Sequence, residues 1–151
     1  MIAIPSDIHL ESFAVIQSHY QFIEPKKNIK DPVKIFKSYD IDIDIVHRIK
    51  EDKTIQVFTK ISVNQNVKPM AGYQLIVEGA AVFSMDDTTG LTEEEEKNLR
   101  FYSTVSILIG YLRNTLTAIT TSSPMGPYLL PPINMPDLFR KKSEKQIAVS
   151  S

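Results

Sequence analysis

The sequence predicts an α+β domain in which a four-stranded, meander-like antiparallel sheet is packed by one long helix. Three observations predict it. Residues 39–49, "YDIDIDIVHRI", alternate apolar and polar side chains with the period of a half-buried strand. Two more alternating runs, "TIQVFTKISVNQN" and "GYQLIVEGAAVFSM", follow after short polar turns, the signature of a meander. Beyond them, from Phe101 to Ile119, apolar residues recur at helical spacing.

The first strand is "LESFAVIQSHYQFIE", Leu10 to Glu24, rich in β-branched and aromatic residues and stopped by Pro25. Its alternation slips near Val15 and Ile16, which predicts an irregularity there. A polar, basic connection, "PKKNIKDPVKIFKS", follows. In the second strand Ile41, Ile43, Ile45 and Ile49 share one face, and Asp40, Asp42 and Asp44 the other. The third places Ile55, Val57, Ile61 and Val63 together, and the fourth Tyr73, Leu75, Val77, Ala81 and Phe83, with Gly79 between. "DDTTG", residues 86–90, closes the β region. Thr92 and Glu95 then form a capping box, and the surrounding glutamates favour the positive end of a helix dipole. On that helix Phe101, Val105, Leu108, Ile109, Leu112, Leu116 and Ile119 make one broad stripe, suited to one face of the sheet.

Ile107, Tyr111 and Ala118 project roughly 130° from the stripe's centre. A single sheet does not cover both clusters, so either a loop folds over the smaller one or a second subunit does. Gly110 lies between the two faces and suits a kink or a close approach. Residues 1–9 read as an N-terminal arm and 140–151, "RKKSEKQIAVSS", as a flexible charged tail on a single domain.

Composition narrows the function. Lys plus Arg total 17 against 18 Asp plus Glu, a net charge of −1, which argues against nucleic-acid binding through bulk phosphate attraction. The absence of cysteine excludes thiolate catalysis and Cys-based zinc sites. No run reaches the ~18 apolar residues of a membrane span, and the amino terminus lacks a signal-peptide pattern. The reading is a soluble, cytoplasmic protein. The glycines form no phosphate or dinucleotide loop, and His9, His19 and His47 show no metal-ligand spacing. Asp40, Asp42 and Asp44 stand about 6.8 Å apart in succession on a strand that does not wrap a cation. They form either a solvated acidic face or a docking patch for a basic partner. Neither a catalytic residue nor a cofactor is expected.

One segment remains. "SSPMGPYLLPPINMPDLF", Ser122 to Phe139, holds five of the nine prolines yet is otherwise largely apolar. Proline fixes extended geometry and leaves neighbouring backbone groups unpaired, so such a segment either closes the fold or lines a groove for an extended chain. Each Leu, Ile, Phe or Met buried there by a partner is worth roughly 1.5–3 kcal/mol before binding entropy is subtracted.

"ILIGYLRNTLTAITTSSPMGPYLLPPINMPDLF" resembles the closing block of the SecB family of protein-export chaperones. The resemblance runs through Tyr111 and Arg113, a helical stretch and a Gly/Pro turn, then Leu130, Pro132, Ile133, Asn134, Leu138 and Phe139 in order. "IFKSYDIDID", "GAAVFSM" and "IQSHYQFIEP" are similar to earlier family blocks. The resemblance implies a short C-terminal helix, a homotetramer built as a dimer of dimers, and unfolded client polypeptides held without ATP. It implies that Ile35, Phe36, Tyr39, Ile133, Met135, Leu138 and Phe139 lie along or near the client groove, and that Ile107, Tyr111 and Ala118 sit between subunits. The family docks the translocase motor SecA on acids of the sheet. Glu24 matches one such position, while Ile76 stands where another would be. Glu24, Asp40, Asp42 and Asp44 are the candidate partner-binding residues. Two rivals are a protein of this fold dedicated to one partner, such as an antitoxin, and a small hotdog-like acyl-binding enzyme.

Overall fold

The computed structural model describes residues 1–86 and 90–150. Four strands, β1 (Ile8–Ile23), β2 (Ile41–Ile49), β3 (Ile55–Val63) and β4 (Gly72–Met85), form one antiparallel sheet in the order β1-β4-β3-β2. Strands β2 to β4 are the expected meander. β1 returns to the far side of β4, so the 25–40 connection crosses the end of the sheet to reach the opposite edge. Within that polar, basic connection Pro32–Phe36 forms a short helix, α1, with proline in its first turn. The slip expected near Val15 is a register shift between Val15 and Gln17, and a second lies between Leu10 and Ser12. The turn expected over residues 86–90 falls largely outside the described residues.

Alternation produces the core. Ile55, Val57, Ile61 and Val63 of β3, and Tyr73, Leu75, Val77, Ala81 and Phe83 of β4, are all essentially inaccessible to solvent. The capping box forms as expected: Glu95 N–H donates to Thr92 Oγ1 at 3.1 Å, and Thr92 N–H to Glu95 Oε2 at 2.8 Å. It opens a continuous helical run of α2 (Glu93–Lys97), a π-helical stretch (Asn98–Ser103) and α3 (Thr104–Thr120). Val105, Leu108, Ile109, Leu112 and Leu116 of α3 are buried against the sheet. Phe101 and Ile119, at the ends of the expected stripe, are only half-buried. Gly79 marks where α3 comes closest: a Cβ there would stand 2.9 Å from Leu112 and 3.0 Å from Phe13.

The proline-rich segment is pinned to α3. Arg113 Nε donates to the Leu130 carbonyl at 3.0 Å and Thr117 Oγ1 to that of Tyr128 at 3.2 Å, while Tyr128 N–H donates to Thr120 Oγ1 at 2.8 Å. Backbone groups that proline geometry leaves unpaired thus find side-chain partners. Tyr128 and Leu130 are buried and Leu129 between them is exposed. The last helix, α4 (Met135–Ser150), is longer than the short helix expected and takes in residues 140–150, which composition assigned to a flexible tail. Asn134 starts it, its side chain accepting from Asp137 N–H at 3.1 Å. Arg140 pairs with Asp137 and Glu144, and Lys141 with Asp137, at helical spacing.

At the end of the sheet where β4 begins, Tyr39 holds the crossover in place. Its hydroxyl donates to the Ala71 carbonyl at 2.8 Å and accepts from Tyr73 N–H at 2.9 Å. Gly72 between them has φ +105°, and a Cβ there would meet the Tyr39 hydroxyl at 2.1 Å. Gly72→Ala therefore combines left-handed strain with loss of both hydrogen bonds, and should lower the unfolding free energy by about 2–4 kcal/mol in urea titrations. Gly110→Ala, where a Cβ meets nothing within 4 Å, should leave protomer stability unchanged or raise it by up to about 1 kcal/mol.

Candidate functional site

β2 is an edge strand, and its register identifies its free backbone groups. Asn64 N–H donates to the Asp40 carbonyl at 3.0 Å and Lys50 N–H to that of Thr54 at 2.9 Å, both in register with the β2–β3 ladder. Even-numbered residues of β2 thus face β3, and Ile41, Ile43 and Ile45 turn N–H and C=O away from the sheet. α4 lies alongside this edge. Between them runs a groove of about 890 Å³, with Ile41, Ile43, Ile133 and Leu138 on its apolar walls and Asp42, Asp44, Lys142 and Lys145 among its polar ones.

α4 is seated lightly. None of its residues is buried, whereas α3 has seven that are. Its contacts with the rest of the chain include Phe139, whose ring meets Tyr102 edge-on at 4.3 Å, and Lys142, whose Nζ donates to the Ile45 carbonyl at 2.6 Å. Lys145 stands 3.8 Å from Asp44. Lys142 is half-buried, and burial pulls its pKa below the usual lysine range, with Asp44 opposing. His47, on the same strand, sits edge-on to Phe101 at 5.1 Å, its Nε2 3.4 Å from Thr104 Oγ1. Burial, with the Lys142 charge adding to it, lowers its pKa to about 4.

Behind one end of the groove lies an aromatic cluster. Phe36 of α1 stacks on Tyr73 at 5.4 Å and meets Tyr128 edge-on at 5.5 Å, with Tyr39 at 5.8 Å. Tyr73 in turn donates to the Gly126 carbonyl and accepts from Met125 N–H, both at 2.8 Å. The crossover and the Gly/Pro turn are thereby locked to β4. Tyr128 Oη is buried without a hydrogen-bond partner, and burial pushes its pKa up to about 12.

The residues singled out in the sequence scatter over this frame. Ile133 and Leu138 line the groove, while Ile35, Phe36, Met135 and Phe139 are half-buried against the core beside it. Tyr39 is only 6% exposed, with its hydroxyl fully used. Asp42 and Asp44 are exposed at the groove's rim. Asp40 accepts from Asn66 at 2.7 Å, and Glu24 lies apart at the opposite edge of the sheet, just after β1, in a shallow hollow with Phe22, Lys27 and Met125. Of the second helix cluster, Ile107 packs on the core, Tyr111 is 43% exposed against Phe13 at 4.9 Å, and Ala118 is exposed. Sequence reasoning missed Arg113 and Thr117 as anchors of the proline-rich segment, and Lys142. Asn134 followed by Asp137, with Arg140, Lys141 and Glu144 at helical spacing, is the signal that would have placed Lys142 on a helix.

Fold and groove define a class: an α+β protein whose single helical layer leaves an apolar channel beside an unpaired strand edge. The family model for preprotein translocase subunit SecB matches residues 25–146. The chain belongs to the SecB family. It is 25% identical over 99 residues to the protein-export protein SecB of Wolbachia pipientis subsp. Culex pipiens (strain wPip), covering 65% of this chain and 59% of that relative's length. Among solved structures it is similar to the Mycobacterium tuberculosis Rv1957 SecB-like chaperone in complex with a ChAD peptide from the Rv1956 HigA1 antitoxin. That likeness has a TM-score of 0.59 at 16% identity, over 84% of this chain and 91% of the other, and concerns the fold.

A histidine whose folded pKa is depressed stabilises the fold above its unfolded value of about 6.5 and loses that contribution as pH falls through its folded value of about 4. Stability measured from pH 7 down to pH 4 should therefore fall more steeply for the natural chain than for His47→Gln, and parallel curves would exclude this role.

Proposed function

We propose that this protein is an ATP-independent chaperone that holds non-native polypeptide in the groove between β2 and α4. The observation that carries the reading is the juxtaposition of outward backbone groups on Ile41, Ile43 and Ile45 with apolar side chains of Ile133 and Leu138, in a chain of the SecB family. An extended segment meets both demands: its backbone pairs with the edge and its alternate side chains enter the apolar wall. No covalent step, metal or nucleotide enters this reading. Cytoplasmic location and a role in protein export belong to it, with SecA as a secondary partner through Glu24, Asp40, Asp42 and Asp44.

Assembly into a homotetramer is part of the same proposal. Ile107, Tyr111 and Ala118 are the residues assigned to the subunit contact; the exposure of Tyr111 and Ala118 supports the assignment, and a second copy would cover them. A second reading, a chaperone dedicated to one partner, draws support from the antitoxin peptide bound by the structurally similar mycobacterial chaperone. The two readings separate on client breadth: a general holdase protects unrelated denatured proteins, whereas a dedicated one forms a single stoichiometric complex.

Light scattering during dilution of a chemically denatured client should show aggregation suppressed by the intact protein. Leu138→Ser should weaken client affinity by about tenfold, within the ~1.5–3 kcal/mol of a buried leucine, at a temperature where both proteins remain folded. No suppression by the intact protein, together with no partner in a pull-down, would reject both readings. In sedimentation the chain should run at about four times its 17.1 kDa mass, and Tyr111→Arg should yield a smaller species with unchanged secondary structure.

A further inference from the structure

We propose that Lys142 sets the charge preference of the groove: it latches the β2 edge when no client is present and pairs with a client carboxylate once one is bound. The inference rests on the reading of the groove as a polypeptide site and adds the chemistry of what it selects. Ile45 C=O is the outward acceptor at the middle of β2, and a chain pairing along this edge needs it. Lys142 Nζ occupies it at 2.6 Å. An incoming strand must therefore displace the ammonium group.

Once displaced, that group has poor alternatives. It is half-buried, carries three donors, and has lost its carbonyl partner. The acids around it are committed elsewhere or turned away. Asp137 on α4 is held by Arg140 at 2.7 Å and Lys141 at 2.8 Å. Asp44 acts on Lys142 from beyond ion-pair distance and has Lys145 at 3.8 Å, and on β2 it and Asp42 alternate with the core-facing isoleucines. Among the described residues no carboxylate lies within 4 Å of Lys142. A half-buried cation short of partners favours a ligand that supplies an anion. The preferred client segment is thus extended, apolar at alternate positions to meet Ile43 and Leu138, and carries Asp or Glu close to the residue that pairs with Ile45.

The test uses the full chain and three synthetic peptides of alternating Val and Thr, identical except for a central Glu, Gln or Lys, with binding read by fluorescence anisotropy. The Glu peptide should bind about tenfold tighter than the Gln peptide, as expected for one charge-assisted hydrogen bond, and the Lys peptide weakest. Lys142→Met, which keeps the apolar stem, should abolish the Glu preference while binding the Gln peptide at least as well as the natural chain does. Lys97→Met, which removes an exposed charge on α2 outside the groove lining, should keep the preference. Equal binding of all three peptides by the natural chain overturns the proposal and leaves the chaperone reading standing, as does a preference that survives in Lys142→Met. Failure of every peptide and of denatured client to bind overturns both.

Discussion

A single α-helix is narrower than a four-stranded sheet, and the rest of the molecule follows from that mismatch. Strands spaced about 4.8 Å apart make a sheet roughly 14 Å between its outer strands, whereas a helix with its side chains is about 10–12 Å across. α3 lies against β4 and β3 and touches β1, seated where Gly79 lets it approach. β2 lies at the margin of its reach, meeting it through His47 and Thr104 at 3.4 Å. Ile41 and Ile43 consequently stay half-buried although they belong to the same alternating pattern that buries β3 and β4 completely. Lateral closure falls to α4, which has no buried residue with which to close tightly.

The proline-rich segment is the device that carries the chain from α3 to this second, looser layer. Its prolines prevent a third layer of regular structure, and its carbonyls are captured by Arg113 and Thr117 on α3. Tyr128 and Leu130 are consumed in fixing it, while Ile133 and Leu138 emerge beyond the last anchored residue and face β2. The apolar content that makes the segment look paradoxical for a loop therefore divides in two. Its first half fills the core, and its second half forms a wall. The Tyr39–Gly72–Tyr73 contacts perform the corresponding task for the crossover at the other end of the groove.

Much of this was legible in the sequence because alternation and helical spacing are backbone properties that burial only reinforces. The faces of β2, β3 and β4, the slip in β1 and the Thr92–Glu95 cap are readable in that way. The π-helical stretch was not, since nothing in "NLRFYS" differs from an ordinary amphipathic helix. α4 was obscured because its middle is densely charged and stabilised by ion pairs between neighbouring turns, a composition shared with flexible tails. The groove was legible only in part. Ile133 and Leu138 stood out as apolar residues bounded by prolines, but the role of Lys142 depends on a carbonyl 97 residues away in sequence, which no local pattern reports.

Amide hydrogen exchange on the intact protein, with and without a saturating unfolded client, tests the central claim most directly, because the edge of β2 carries its own signature. The amides of Asp42 and Asp44 pair with β3 and should be protected throughout. Those of Ile41, Ile43 and Ile45 should exchange readily alone and slow markedly when client is added. Unchanged exchange at these three alternate residues, with new protection appearing only elsewhere on the molecule, would contradict the account.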